Sequence, residues 1–191
     1  MSAAVPDGDA GPEVAGSLAT HLRDVPDFPE AGIVFKDIVP LLADGKAFAA
    51  AIAALAELAR RQGPIDLVAG VEARGFIVAA ALARELGCGL VPVRKAGKLP
   101  PPTLRQAYTL EYGTAEIEVP LGVVEGRRVY LVDDVLATGG TVQAALRLIA
   151  DAGGQTVGVG VLLELGFLGG RSRLATATAS TGVDVVSLLR V

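Results

Sequence analysis

Cysteine and histidine are almost absent: there is one of each in 191 residues. A lone Cys88 cannot close an intramolecular disulfide, so the chain reads as a protein of a reducing cytoplasm. Cys88 lies between glycines behind an expected helix, which favours a structural role. With His21 as the only histidine, Ser–His or Cys–His catalysis would have to pass through it, and its place on an expected helix makes it a solvated side chain. Long apolar runs are missing as well. The uncharged run Phe76 to Ala83 is too short to span a bilayer, which argues against a membrane protein. Met1 to Gly11 lack the basic start and apolar core of a secretory signal. An excess of positive charge is also lacking. The net charge of −4 argues against a general nucleic-acid surface, so any cationic site must be local.

What is present is apolar sequence in short runs, 51% of the chain, enough for one sizeable core. Residues 1–11 read as a disordered tail and 12–191 as a single domain. From Pro12 a helix places Val14, Leu18 and Leu22 on one face. Pro26 to Gly32 is a turn-rich connector, and Ile33 to Phe35 a short strand. Asp44 caps a helix over Gly45 to Gln62, with Gly63 as its stop. Strands over Ile65 to Gly70, Leu90 to Val93, Val129 to Val132, Thr156 to Leu163 and Val183 to Leu189 alternate with helices over Phe76 to Leu86 and from Val142 onward. Leu168 to Leu174 reads as a short helix or loop. This alternation predicts an α/β fold with a central parallel sheet flanked by helices.

The most informative stretch is Val129 to Val142. Four apolar or aromatic residues end in Asp133 and Asp134, followed by a turn of Thr138, Gly139, Gly140 and Thr141 and then a helix. The carboxylates cannot sit unpaired in the dry centre of a sheet, so they emerge at the strand's carboxyl end. The turn aims backbone N–H groups at one point, and the helix adds its positive end; together they form an anion cradle. Carboxylates beside a phosphate cradle suit a ribose phosphate. Neither the Gly-Lys-Ser/Thr of a nucleotide-phosphate loop nor the Gly-x-Gly-x-x-Gly of a dinucleotide fold is present at this place.

Two further strand ends carry charge: Glu72-Ala73-Arg74-Gly75, and Arg94-Lys95-Ala96-Gly97-Lys98 ahead of three prolines. Ligands in open α/β sheets bind along that edge, where a mobile basic loop can close over an acidic ligand. The loop is expected to continue through Ala107. Tyr108 to Tyr112 and Thr114 to Val119 then read as a hairpin turning near Gly113. In the second arm Glu116 and Glu118 alternate with apolar residues and are expected on a wet face.

From about Val25 to its end, the chain resembles the adenine phosphoribosyltransferases of the type I phosphoribosyltransferase family. The resemblance rests on separated motifs in one order: Phe28-Pro29 with Gly32-Ile33-Val34-Phe35-Lys36-Asp37-Ile38, Glu72 to Phe76, Arg94-Lys95 with Gly97 to Pro100, Leu110-Glu111-Tyr112-Gly113, and the phosphoribosyl pyrophosphate (PRPP) signature from Val132 to Thr141. It implies that fold with a small N-terminal hood, about 12–40, and a mobile loop-hairpin. It implies purine salvage: transfer of the 5-phosphoribosyl group of PRPP to adenine, giving AMP and pyrophosphate. Ala137, Thr138, Gly139, Gly140 and Thr141 would hold the 5′-phosphate, and Asp133 and Asp134 the ribose hydroxyls. Arg74, Arg94, Lys95 and Lys98 would meet the pyrophosphate, Arg94 across the interface of a homodimer. Val34, Phe35, Lys36 and Leu136 would bind adenine. Glu111 would handle the proton at N7, making it catalytic with Arg74, and Tyr112 would close the site. Mg²⁺ would be held mainly by PRPP and water, with no direct protein ligand, and the Glu72–Ala73 peptide can be cis. The rivals are a phosphoribosyltransferase for hypoxanthine or xanthine, and a regulator that senses PRPP with the same fold.

Overall fold

A computed structural model describes residues 7–110 and 113–191. Its elements are α1 (Pro12–Thr20), β1 (Arg23–Pro26), β2 (Val34–Asp37), α2 (Val39–Ala43), α3 (Gly45–Arg60), β3 (Leu67–Val71), α4 (Gly75–Leu86) and β4 (Gly89–Lys95). They continue with β5 (Thr103–Leu110), β6 (Gly113–Pro120), β7 (Arg128–Leu136), α5 (Gly140–Asp151), β8 (Gln155–Glu164), α6 (Gly170–Thr178) and β9 (Asp184–Arg190). Asp44 caps α3 as expected, its carboxylate accepting the Lys46 and Ala47 N–H groups at 3.0 and 2.9 Å.

One seven-stranded sheet has the order β5-β6-β4-β3-β7-β8-β9. The run from β4 to β9 is parallel, and the β5–β6 hairpin joins it antiparallel through Arg94↔Glu118 and Lys95↔Ile117. The sheet is therefore mixed. Strand β7 shows why its sequence is apolar throughout. Tyr130 and Val132 enter the core under α3 and α4, while Val129 and Leu131 enter the core under α5. Helices α4 and α5 cover opposite faces because β3→β4 and β7→β8 advance in opposite directions across the sheet. The direction changes between β3 and β7, which opens a crevice at their carboxyl ends.

Gly158 and Gly160 in β8 leave a groove for the Tyr130 side chain; a Cβ at Gly158 would lie 2.7 Å from the ring and one at Gly160 2.7 Å from the hydroxyl. The Tyr130 hydroxyl is buried without a hydrogen-bond partner among the described residues. Burying such a ring contributes about 1.5–3 kcal/mol, which offsets the about 1–3 kcal/mol cost of an orphaned buried hydroxyl.

Three expectations change. The stretch read as a free tail is tied down from Asp7 onward: Asp7 bridges to Arg190, and the Asp9 carboxylate accepts the Ser187 N–H at 2.7 Å. A docking strand end can order polar sequence that carries no local signal. Strand β5 begins at Thr103, inside the expected loop, because β6 offers a full-length antiparallel partner. Glu118 is not wet but fully buried. Alternation predicts which residues share a face, not whether that face is covered; here the 97–99 turn folds over it and donates to the carboxylate.

Candidate active site

Four parallel strands end at one edge of the sheet and deliver charge or apolar surface there. Beyond β3 comes Glu72-Ala73-Arg74, and β4 ends in Arg94 and Lys95. Asp133 and Asp134 lie near the end of β7, and Leu165 follows β8. The antiparallel ribbon β1–β2 brings Val34, Phe35 and Lys36 to the same place. These parts surround a cavity of about 430 Å³ whose wall includes Val34, Phe35, Lys36, Arg74, Asp133, Asp134, Ala137, Thr141 and Leu165. Sequence-distant residues thus meet in one cavity at the point where the strand order reverses.

Electrostatics divide the cavity. The Asp134 carboxylate is 2.6 Å from Arg74 Nε, and the Arg74 guanidinium lies over the Phe35 ring at 4.8 Å. A cation stacked on an aromatic face and paired with a carboxylate is fixed in direction. Asp133 Oδ1 accepts the Asp134 N–H at 2.9 Å. Burial, and then the adjacent Asp134 charge, push the Asp133 carboxyl well above the ordinary aspartate pKa. Lys36 lines the cavity but not as a free cation: its Nζ is 2.7 Å from Asp24 across the ribbon.

The turn after Leu136 has the geometry of an anion cradle. Gly139 adopts a left-handed conformation (φ 79°, ψ 0°) and caps α5, whose first residues are Gly140 and Thr141. The cradle is backed by α6. A Cβ on Gly139 would lie 2.9 Å from the Gly170 carbonyl oxygen, and one on Gly170 would overlap the Ala137 carbonyl. Helix α6 cannot easily retreat, because Arg171 is held by Glu164 at 2.6 Å, by Asp9 at 3.0 Å and by Ser187 at 3.0 Å. Gly170→Ala is therefore expected to displace the cradle. Overpacking costs about 1–3 kcal/mol, so the KM for the phosphate-bearing substrate should rise about tenfold or more in steady-state assays, with little change for the other substrate.

The other expected residues fall as follows. Lys95 ends β4 and Lys98 lies on the turn after it; both are exposed and neither lines the cavity. Arg94 is turned to Glu72 (Nε to Oε2, 3.2 Å), to the Lys98 carbonyl (3.0 Å) and over the Phe76 ring. Thr138, Gly139 and Gly140 form the cradle without lining the cavity. Leu136 does not line it either. The alternation of Val129 to Val132 does not carry through to the end of β7: Val135 packs on the core under α3 and α4, and Leu136 is buried in the core under α5. Leu165, whose N–H donates to the Leu136 carbonyl at 2.9 Å, supplies the apolar wall instead. Its only sequence signal was its place just after a strand. Tyr108 of β5 also reaches the wall. Glu111 and Tyr112 lie outside the described residues. The Glu72–Ala73 peptide is cis.

Among the described residues, no helix is long and apolar enough to cross a membrane. Nor does any group of three or more His, Cys, Asp or Glu among them form a metal cage. Asp134 Oδ2, buried with Arg74 Nε as its close partner, lies next to Asp133 at the cavity. A hard oxygen pair of this kind fits a divalent cation carried mostly by a ligand and water.

Residues 41–177 match the family model of the phosphoribosyl transferase domain. The adenine phosphoribosyltransferase of Streptomyces avermitilis is 58% identical over 175 residues, 91% of this chain and 94% of the relative. The crystal structure of adenine phosphoribosyltransferase from Rhodothermus marinus superimposes with a TM-score of 0.86 at 46% identity, over 95% of this chain and 100% of that one. The enzyme from Saccharomyces cerevisiae, solved with adenine and an imino-altritol bisphosphate, gives a TM-score of 0.83 at 35% identity over 93% and 99%.

Proposed function

Because the chain belongs to the phosphoribosyl transferase family and, within it, to the adenine phosphoribosyltransferases, it transfers the 5-phosphoribosyl group of PRPP to adenine in purine salvage, and we propose that the cavity residues divide this task as follows. The Ala137 to Thr141 cradle takes the 5′-phosphate through backbone N–H groups and threonine hydroxyls. Asp133 and Asp134 accept from the ribose hydroxyls, and their charge favours the cationic ring as the bond from C1′ to pyrophosphate breaks and that to adenine N9 forms. Arg74, with Lys95 and Lys98 from the adjacent turn, neutralises the departing pyrophosphate, the guanidinium fork matching phosphate oxygens. Arg94 acts with them from across a homodimer interface.

The adenine ring lies between the ribbon and Leu165. Backbone groups of Val34 to Lys36 read its edge, and Phe35 gives apolar contact. Glu111 manages the proton at N7, and Tyr112 closes the site. Asp133 and Asp134 would offer hard oxygens towards a Mg²⁺ carried mainly by PRPP and water, which would supply further charge neutralisation to the leaving group. Residues 12–191 work as one domain, with 12–40 as its hood, in the cytoplasm.

The observation that carries this reading is the meeting of three separate sequence motifs on one cavity: the Asp133–Asp134 pair with its cradle, Arg74, and the Val34–Lys36 strand. AMP formation from adenine compared with IMP formation from hypoxanthine, both with PRPP, tests it. Adenine should be preferred by orders of magnitude, because a site built for an amine donor leaves buried groups unpaired against a keto base, a cost of about 10⁴–10⁵-fold in such pockets. A preference for hypoxanthine would overturn the base assignment.

A further inference from the structure

Glu118 lies in β6, between β5 and β4 in the sheet, and its side chain is fully buried. Its Oε1 accepts the Lys98 and Leu99 N–H groups, each at 2.8 Å. Its Oε2 accepts from Thr103 Oγ1 at 3.1 Å and Arg105 Nε at 3.2 Å. Burial pushes this carboxyl up, but the N–H groups of Leu99, Gly97 and Lys98 and the Thr103 hydroxyl outweigh it and hold the pKa down to about 2. It stays ionised at any working pH.

A second carboxylate grips the other end of the same turn. Glu72 Oε2 accepts the Lys95 N–H at 2.9 Å and Arg94 Nε at 3.2 Å, and the Ala96 N–H donates to the Glu116 carbonyl at 2.9 Å. The segment Lys95 to Leu99 thus has backbone donors fixed at both ends by negative charge, while its two lysine side chains remain for other work. Glycine at 97, with φ 81°, gives the turn no rigidity of its own. A carboxylate dedicated to turn N–H groups is a strong choice where an apolar residue would have filled the space, because it specifies one conformation.

We propose that Glu118 is a positioning residue for the reaction: it holds the Lys95–Lys98 turn so that its lysines face the pyrophosphate end of the substrate. The inference rests on the reading that these lysines meet pyrophosphate. Glu118 is not part of the cavity wall, so its influence on substrate runs through the turn.

The test compares E118A, E118Q, K95A, K98A and the E118A/K98A double variant. The KM for PRPP, the inhibition constant of pyrophosphate, the KM for adenine, kcat and melting temperature are read for each. A loosened charged group is expected to raise the PRPP KM and the pyrophosphate inhibition constant about tenfold in E118A, while the adenine KM moves less than about twofold. E118Q keeps one acceptor for the turn but turns an amide N–H₂ toward Thr103 and Arg105, so its effect should fall between parent and E118A. In the K98A background the E118A effect should largely vanish, since both act through one group. If E118A does not fold, E118Q carries the same split between PRPP and adenine. Unchanged pyrophosphate inhibition in E118Q and E118A, an equal loss for adenine, or full additivity with K98A overturns the proposal while leaving the lysine reading intact. Unchanged pyrophosphate inhibition in both K95A and K98A overturns the lysine reading, and this inference with it.

Discussion

Replacing Asp133 and Asp134 together with asparagine is expected to lower kcat/KM for PRPP by about 10³-fold, the scale of losing preorganised electrostatic stabilisation. The two carboxylates are the negative charge nearest the cradle, and Asp134 also fixes Arg74 at 2.6 Å. Asparagine keeps their shape, so the loss reports charge and acceptor capacity rather than packing. Steady-state kinetics with PRPP varied and adenine saturating measure it, and full activity in D133N/D134N would contradict the ribose assignment.

The single variant D133N has an opposite expected effect on stability. The folded-state pKa of Asp133 is raised by burial and by Asp134, above its unfolded value. A carboxyl of this kind is tolerated while protonated, and its stability contribution is lost as pH rises through the folded pKa. Without substrate, D133N should therefore be more stable than the parent at neutral pH, and the difference should shrink towards zero as the pH falls to about 4, near the unfolded aspartate value. Denaturant melts across that range read it directly. Stability surrendered for function at a site of like charges is the physical content of this trade-off.

Glu111→Ala is the second large effect. Turnover should fall about 10²–10⁴-fold, the usual contribution of a positioned acid or base, with PRPP affinity nearly unchanged. Glu111 lies outside the described residues, but Tyr108 on β5 already reaches the cavity wall, and the hairpin register pairs Leu110 with Gly113. Equal falls in kcat and kcat/KM would mark an interaction made only in the transition state. Unchanged turnover would remove Glu111 from the mechanism.

The parts of this protein legible in its sequence are those governed by near neighbours. The β7–turn–α5 unit was readable because an apolar strand, two carboxylates and a Gly-Gly turn each have one economical placement along a short stretch of backbone. The α3 cap and helix, and the alternation of strands with helices, were readable because capping and periodicity act within a few residues. Motif resemblance then joined Val34–Lys36, Arg74 and the Lys95–Lys98 segment to that unit without saying how they touch.

How they touch was decided by the order of strands in the sheet. Because β3 lies beside β7, Arg74 reaches Asp134; because β4 pairs with β6, Glu118 is roofed by the 97–99 turn instead of facing water. The side-chain pattern of β7 shifts near its end, so Leu136 enters the core under α5 and Leu165, from the neighbouring strand end, stands on the cavity. Docking against β9 orders Asp7 to Gly11, and through Asp9 and Arg171 it fixes the helix that backs the phosphate cradle. The sequence alone determined the local backbone and the chemistry available at each strand end. Only the tertiary structure decided which of those groups are buried, paired and aimed, since burial and pairing depend on residues far apart along the chain.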